Sequence, residues 1–201
     1  MILPNNLSKL ISIFRTLPGI GYNMAVNISL YLLQKDYKEI EFFTSTLLES
    51  KKKLFFCKVC GNISDNDICN ICSDETREKS VICVVGEVFD ILAIEKTREY
   101  NGQFHVLGGH ISPLNSAESL NIDSLLLRIK NGNIKEIIIA TNSTVEGETT
   151  ALYLYNILSK FNIKITRIAK GVPVGLDLGY VDSMTIAKSL ENRVLFLVKG
   201  K

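Results

Sequence analysis

Four of the five cysteines in this 201-residue chain fall within one short segment. They form two Cys-x-x-Cys pairs, Cys57 with Cys60 and Cys69 with Cys72, and eight residues separate the pairs. Four thiolates at this spacing can surround one tetrahedral zinc ion, and four protein ligands leave no position for a catalytic water. Free thiols and disulfides are the alternatives. The spacing favours a structural zinc, whose binding would supply folding energy to a segment rich in Asp, Asn and Ser.

A turn with two glycines, residues 17–21, separates two amphipathic segments near the start of the chain. In a helix-hairpin-helix, such glycines let backbone amides approach a phosphate, and the second helix points its N-terminus at it. An ordinary turn between helices is the alternative interpretation. The three lysines at 51–53 either contact DNA or form a solvated helix end. The candidate DNA-binding residues are Lys9, Arg15, Gly19, Ile20 and Gly21.

Two pairs of acidic residues follow the predicted strands 81–85 and 137–141. Ligands and metals gather at the carboxyl ends of parallel strands, so these acids could share a magnesium ion. Asn142 and Thr144 are neutral, however, where a metal-assisted phosphoryl centre would need carboxylates. Acids at the start of a helix are also stabilised by its dipole. The four acids are Glu87, Asp90, Glu146 and Glu148.

The elements that position these residues follow from apolar periodicity. Helical spacing recurs from Leu7 to Phe14, from Ala25 to Leu32 and from Ile40 to Leu54. Beyond Ser80, short β-branched runs alternate with amphipathic stretches, which indicates parallel strands with helical crossovers. The expected strands are 81–85, 104–107, 137–141, 163–168 and 194–198, and the expected helices are 91–99, 122–130, 149–161 and 183–191.

These patterns predict an α/β fold with three parts. An all-helical segment, 1–54, precedes the four-cysteine zinc segment, 55–79, and a doubly wound α/β domain with a C-terminal assembly segment occupies 80–201. Residues 73–79 are the expected link between the halves. The remaining cysteine, Cys83, lies in an apolar strand and is expected to be a small buried hydrophobe.

The composition excludes several classes of protein. A net charge of +2, from 23 basic and 21 acidic residues, means that any affinity for nucleic acid depends on local clusters. No run of about 18 apolar residues could span a membrane, and the polar start has no signal-peptide pattern, so we expect a cytoplasmic protein. No nucleophile with a neighbouring base and no Gly-x-x-x-x-Gly-Lys loop is evident, which argues against hydrolases and nucleotide-hydrolysing enzymes.

Together, these motifs resemble the RecR family of bacterial recombination mediators over essentially the whole chain. The glycine turn and the cysteine pairs stand in the family's order, and five further motifs follow them. They are residues 100–109, 112–114, 140–142, 145–148 and 171–175. The resemblance implies that the α/β half is a Toprim domain, the module in which topoisomerases and primases hold magnesium with a Glu and an Asp-x-Asp.

The resemblance also implies a function. The family's Toprim domain is a non-catalytic surface for partner proteins, here at Glu87, Asp90, Glu146 and Glu148, and its subunits form a dimer or tetramer ring that clamps DNA. With RecO and RecF, such a mediator helps to load RecA onto gapped DNA during repair. The chain is then not an enzyme. The alternatives are a magnesium-dependent Toprim nuclease or primase-like enzyme, and a zinc-stabilised interaction module without DNA binding.

Three departures from the family pattern bear on these expectations. Asn23 and Asn27 stand where the hairpin normally carries basic residues, which predicts weaker DNA binding. Gly86 occupies the usual position of the first Toprim acid, and Glu87 comes one residue later. Lys170 replaces the usual His before the Gly-Val-Pro-Val-Gly loop, which keeps or adds positive charge.

Overall fold

A computed structural model describes residues 3–194 of the chain. The chain divides into two compact units, Met1–Leu54 and Phe55–Lys201. The division does not fall at the link expected at 73–79. In that segment Arg77 is ion-paired with Glu95 at 2.5 Å, and strand β3 already begins at Glu78.

The first unit is all helical, as its apolar spacing predicts. Its helices are α1 (Asn5–Phe14), α2 (Tyr22–Leu33) and α3 (Tyr37–Lys53). Helices α1 and α2 pack together, with Ile11 and Ala25 buried. Helix α3 begins at a capping box in which the Asp36 carboxylate accepts a hydrogen bond from the Glu39 amide at 2.8 Å. None of the residues of α3 is buried.

The second unit contains a small antiparallel pair and a four-stranded parallel sheet of order β4-β3-β5-β6. Its strands are β1 (Phe55–Phe56), β2 (Ile63–Ser64), β3 (Glu78–Val85), β4 (Gly102–Val106), β5 (Glu136–Ala140) and β6 (Lys164–Arg167). Its helices are α4 (Asn70–Ser73), α5 (Val88–Glu95), α6 (Ile122–Asn131), α7 (Val145–Leu158) and α8 (Ser183–Glu191).

Both faces of the parallel sheet are covered. On one face, Ile82 and Ile137 pack with Leu125 of α6 and Leu154 of α7. The other face packs Cys83, Val85 and Phe104 against Ile91 of α5. Strands buried on both faces consist of nearly continuous β-branched and aliphatic residues, which is the pattern of β3 and β5. The predicted doubly wound α/β domain is therefore confirmed, and Cys83 is buried within it.

Several boundaries differ from the sequence prediction. Helix α5 begins at Val88, three residues before the expected start, because the Asp90 carboxylate accepts a hydrogen bond from the Glu87 amide at 2.8 Å. Helix α7 begins at Val145, and not at 149, because the Thr144 hydroxyl caps it by accepting from the Gly147 amide. The strand expected at 194–198 lies outside the described residues except for its first residue.

Within the described part of the chain, no helix combines the length and apolar character needed to cross a lipid bilayer.

A substitution at Gly147 can test how closely the start of α7 packs against the loop that follows β5. A Cβ at this position would overlap the Asn142 carbonyl oxygen. Alanine normally stabilises a helix by about 1 kcal/mol relative to glycine. We expect Gly147→Ala to lower the free energy of unfolding by about 1–3 kcal/mol instead, measured by urea denaturation. Gly171→Ala is the control, because the space around Gly171 is open. A Gly147→Ala protein as stable as the parent would contradict this account.

Candidate zinc centre, DNA hairpin and Toprim surface

The four predicted ligand cysteines come together in the second unit. The sulfur atoms of Cys57, Cys60, Cys69 and Cys72 all lie within 4.8 Å of one another, and the first three residues are buried. Among residues 3–194 this is the only group of three or more His, Cys, Asp or Glu side chains close enough to hold a metal ion. All four cysteines are free of disulfides.

Short backbone hydrogen bonds shape the two cysteine loops. The Cys57 amide donates to the Asn62 carbonyl at 2.7 Å, and the Gly61 amide donates to the Cys57 carbonyl at 2.9 Å. Gly61 has φ +76°, a conformation that glycine adopts without strain. The Cys69 amide donates to the Cys57 sulfur at 3.3 Å, which joins the second loop to the first. The sequence did not predict the pair β1 and β2, because two-residue strands give no apolar period.

The cluster fits a structural zinc. Zn–S distances of about 2.3 Å in a tetrahedron place sulfur atoms about 3.8 Å apart. The Cys60 and Cys69 sulfurs are 3.5 Å apart. The hydrogen bond with the Cys72 thiol is the main cause that lowers the pKa of Cys60 to about 5, and the same bond raises the pKa of Cys72. Cysteine binds a metal ion as a thiolate, so metal binding displaces the protons of the cluster.

The cysteine segment covers the free edge of the parallel sheet. Strand β4 is the edge strand, and its Val106 amide donates to the Cys60 carbonyl at 2.7 Å. The Gln103 side chain donates to the Ile71 carbonyl at 3.4 Å. Exposed edge strands are prone to pair with other chains, so this cover protects the sheet. The zinc segment is therefore joined to β4 by one backbone hydrogen bond and one side-chain hydrogen bond.

The predicted turn between α1 and α2 has a defined geometry in the first unit. The Ile20 amide donates to the Leu17 carbonyl at 3.3 Å. Gly19 has φ +77°, as the third position of a type II turn requires after Pro18. Gly21 precedes α2 and offers no side chain to cap it, so the first amides of α2 have no capping partner of their own. This is the arrangement expected of an anion-binding hairpin, and DNA contact stays a prediction.

The polar side chains around the hairpin are exposed. Lys9, Asn23 and Asn27 all face solvent. Arg15 is also exposed and lies over the Tyr22 ring, with its guanidinium carbon 5.9 Å from the ring centroid. The cationic groups near the turn are therefore accessible, while the two asparagines add no charge.

The acidic residues separate into different roles. Glu87 and Asp90 meet at the start of α5, where each caps the other's backbone. Glu146 is exposed in the first turn of α7, and a hydrogen bond from its own backbone amide is the main cause that lowers its pKa. Glu148 is ion-paired with Arg167 and Lys170, each at 2.5 Å. Its charge is thus balanced by side chains.

Local packing explains why positions 86 and 144 do not carry the acidic residues of the Toprim pattern. A Cβ on Gly86 would overlap the imidazole of His110, so the histidine fills the space that a side chain at position 86 would need. The Thr144 hydroxyl is used to cap α7. Neither position presents a carboxylate to a metal ion.

Two residues of this unit were missed by sequence reasoning. His105 is fully buried in β4, and Arg128 of α6 donates to the Phe104 carbonyl at 2.7 Å. They are 23 residues apart, and although His105 falls within the family motif 100–109, the sequence assigned no role to either residue. Only the fold brings them together.

Comparisons with known proteins agree with this architecture. A family model described as the Toprim domain matches residues 80–169. The model of the four-cysteine zinc finger domain of RecR matches residues 54–74, and that of the RecR C-terminal region matches residues 171–194. The fold and the cysteine site thus define a zinc-finger Toprim protein.

A curated relative covers nearly the whole chain. Recombination protein RecR of Lactococcus lactis subsp. cremoris (strain MG1363) is 43% identical over 196 residues, which cover 96% of this chain and 99% of the relative. The chain belongs to the RecR family of recombination repair proteins. The resemblance seen in the sequence, the α/β Toprim fold and the structural zinc are confirmed.

We expect Cys60→Ser to lose the zinc that the parent protein retains when it is purified without added metal, because serine supplies no thiolate. Thermal stability should fall as well, because the Cys60 carbonyl joins the zinc segment to β4. Elemental analysis and thermal unfolding measure the two effects. Cys83→Ala, which changes a cysteine outside the cluster, should keep one zinc per chain. Full zinc content and parental stability in Cys60→Ser would disprove the assignment.

Proposed function

We propose that this protein is a non-catalytic, DNA-binding mediator of recombination repair in the cytoplasm. In this proposal it forms a dimer or tetramer ring that clamps DNA and, with RecO and RecF, helps to load RecA onto gapped DNA. The main support is the 43% identity to a recombination protein RecR across nearly the full length of both chains. The geometry of the individual surfaces supports each part of the proposal separately.

DNA binding is supported by the hairpin. The uncapped amides of α2 and the open turn at Gly19 offer hydrogen-bond donors to a phosphate without reading base sequence. Lys9 is exposed on α1 and Arg15 at its C-terminal end, and both supply positive charge to the first unit. With Asn23 and Asn27 neutral, each subunit makes few charged contacts. Affinity then depends on several subunits that act on one duplex at the same time.

Assembly is supported by apolar surface that a single chain leaves exposed. On α3, the exposed fractions of Phe42, Leu47 and Leu48 are 73%, 63% and 62%. In the C-terminal region, Tyr180 and Met184 are 81% and 75% exposed. Apolar surface of this extent is typical of protein–protein contacts. Both ends of the described chain thus offer surfaces for self-association.

A non-catalytic Toprim domain is supported by the state of its acidic residues. Asn142 and Thr144 replace the carboxylates of an Asp-x-Asp pair, and Glu148 is neutralised by Arg167 and Lys170. Glu146 and Glu87 remain exposed, and Asp90 is partly exposed. These acids form a negative surface for basic side chains of a partner protein.

Restoring charge to the hairpin should strengthen DNA binding. We expect the double variant Asn23→Lys/Asn27→Arg to bind DNA more tightly and to steepen the dependence of log K on log salt by up to about 1.8, since each added phosphate contact contributes about 0.9. Fluorescence anisotropy with duplexes of two unrelated sequences, across a range of salt concentrations, measures both effects. The improvement should be the same for the two sequences.

The control for this experiment adds the same charge to the second unit. Asn133 and Asn156 are exposed there, and Asn133→Arg/Asn156→Lys should leave the salt dependence nearly unchanged. If the hairpin variant changed neither affinity nor salt dependence, the hairpin would not face DNA. The zinc-stabilised interaction module would then be the better description.

We expect no cleavage, synthesis or topoisomerase activity with magnesium, because the Toprim edge lacks the anionic ligands that position the metal. Nicked, gapped and supercoiled DNA are the substrates to assay, with an active Toprim topoisomerase as the positive control. Magnesium-dependent turnover that Glu146→Gln abolishes would support the enzyme alternative over the scaffold.

A further inference from the structure

The outer edge of β4 contacts both Arg128 of α6 and the cysteine segment. The Phe104 carbonyl accepts a hydrogen bond from the Arg128 Nη1 atom at 2.7 Å, and the Val106 amide donates to the Cys60 carbonyl at 2.7 Å. The Phe104 carbonyl and the Val106 amide therefore lie on the same edge of the strand. Residues two apart in a strand are separated by about 6.6 Å. The Arg128 guanidinium and the Cys60 carbonyl therefore bind neighbouring backbone positions on the same edge of β4.

The positive charge of Arg128 has no carboxylate partner. Within residues 3–194, none of the ion pairs includes Arg128. The side chain is only partly exposed, and a guanidinium stays protonated in proteins. A partly buried cation that lacks an anion is costly. Arg128 therefore needs a negative group that the carboxylates do not supply.

His105 fixes the orientation of Arg128. Burial lowers the pKa of His105 to about 4, so its ring is neutral at pH 7. The His105 Nε2 atom lies 2.7 Å from the Asn121 carbonyl oxygen, to which it donates its proton. The Nδ1 atom is then an acceptor, and Arg128 Nη1 lies 3.3 Å from it. The ring thus holds the guanidinium at the strand edge without neutralising its charge.

The cysteine cluster supplies the missing negative charge. One divalent zinc ion and four thiolates carry a net charge of about −2. Burial is the main cause that lowers the pKa of Arg128, and the cysteine cluster acts in the opposite direction. Groups around a metal's ligands commonly contribute to its affinity.

We propose that Arg128 is the counter-ion of the zinc–thiolate cluster, held against the edge of β4 by the Phe104 carbonyl and His105. Arg128 does not ligate the metal. It is a positioning residue that stabilises the negatively charged zinc-bound form, and it thereby couples zinc affinity to the packing of α6 on the sheet.

The test compares two variants that remove the same charge from the same helix. Arg128→Gln should weaken Zn²⁺ binding by about 10-fold, measured by competition with a chromophoric chelator. Lys130→Gln should bind Zn²⁺ as the parent does, because Lys130 is exposed. Parental affinity in Arg128→Gln, or equal weakening in both variants, would overturn the proposal.

Unfolding measurements separate the charge effect from a purely structural role. If Arg128 acts as a counter-ion, Arg128→Gln should lose more stability in the zinc-bound form than in the zinc-free form, where only its hydrogen bonds to the Phe104 carbonyl and His105 are lost. A residue that only joins α6 to β4 would cause the same loss in both forms. An equal loss of stability in the two forms therefore counts against the proposal.

A second variant covers the case in which Arg128→Gln does not fold. Arg128→Lys keeps the charge, although its ammonium group does not copy the planar guanidinium. We expect it to bind Zn²⁺ with nearly the parental affinity, because the negative cluster still has a cation beside it. A loss of Zn²⁺ affinity of about 10-fold in this folded, charge-keeping variant would overturn the proposal.

Discussion

The hydrogen bond between the Val106 amide and the Cys60 carbonyl joins two parts of the molecule that have different sources of stability. The parallel sheet is held by burial of β-branched side chains on both faces, whereas the cysteine segment has almost no apolar core. Without the cysteine segment, β4 would present an unpaired edge. Without the sheet, the polar cysteine loops would have only the metal to order them. Each part therefore completes the other.

The Toprim edge shows how a fold associated with metal chemistry can be altered by packing. The His110 ring fills the space beside Gly86, the Thr144 hydroxyl caps α7, and Glu148 is paired with two cations. His110, Thr144 and Glu148 thus have structural roles at this edge. Glu87, which also caps α5, and Glu146 remain exposed at this edge. In the proposed function, they are the acids that meet a partner protein.

Much of this structure could be predicted from the sequence, because the signals are local. The cysteine spacing identified all four metal ligands, and apolar periodicity identified the helices and the parallel strands. Apolar periodicity predicted starts of α5 and α7 that lie several residues C-terminal to the observed ones. The capping residues Glu87 and Thr144 extend both helices toward their N-termini, beyond the apolar stripes. The pairing of His105 with Arg128 could not be predicted, because it depends on how α6 lies along β4.

Helix α3 links the stability of the first unit to the assembly proposed for this protein. It is 17 residues long, and none of its residues is buried within the chain. A helix of that length is only marginally stable in water without tertiary packing. Under the proposed ring assembly, the buried surface that holds α3 in place comes from another subunit. Its thermal midpoint would then rise with protein concentration by mass action, as expected when folding and association are one equilibrium.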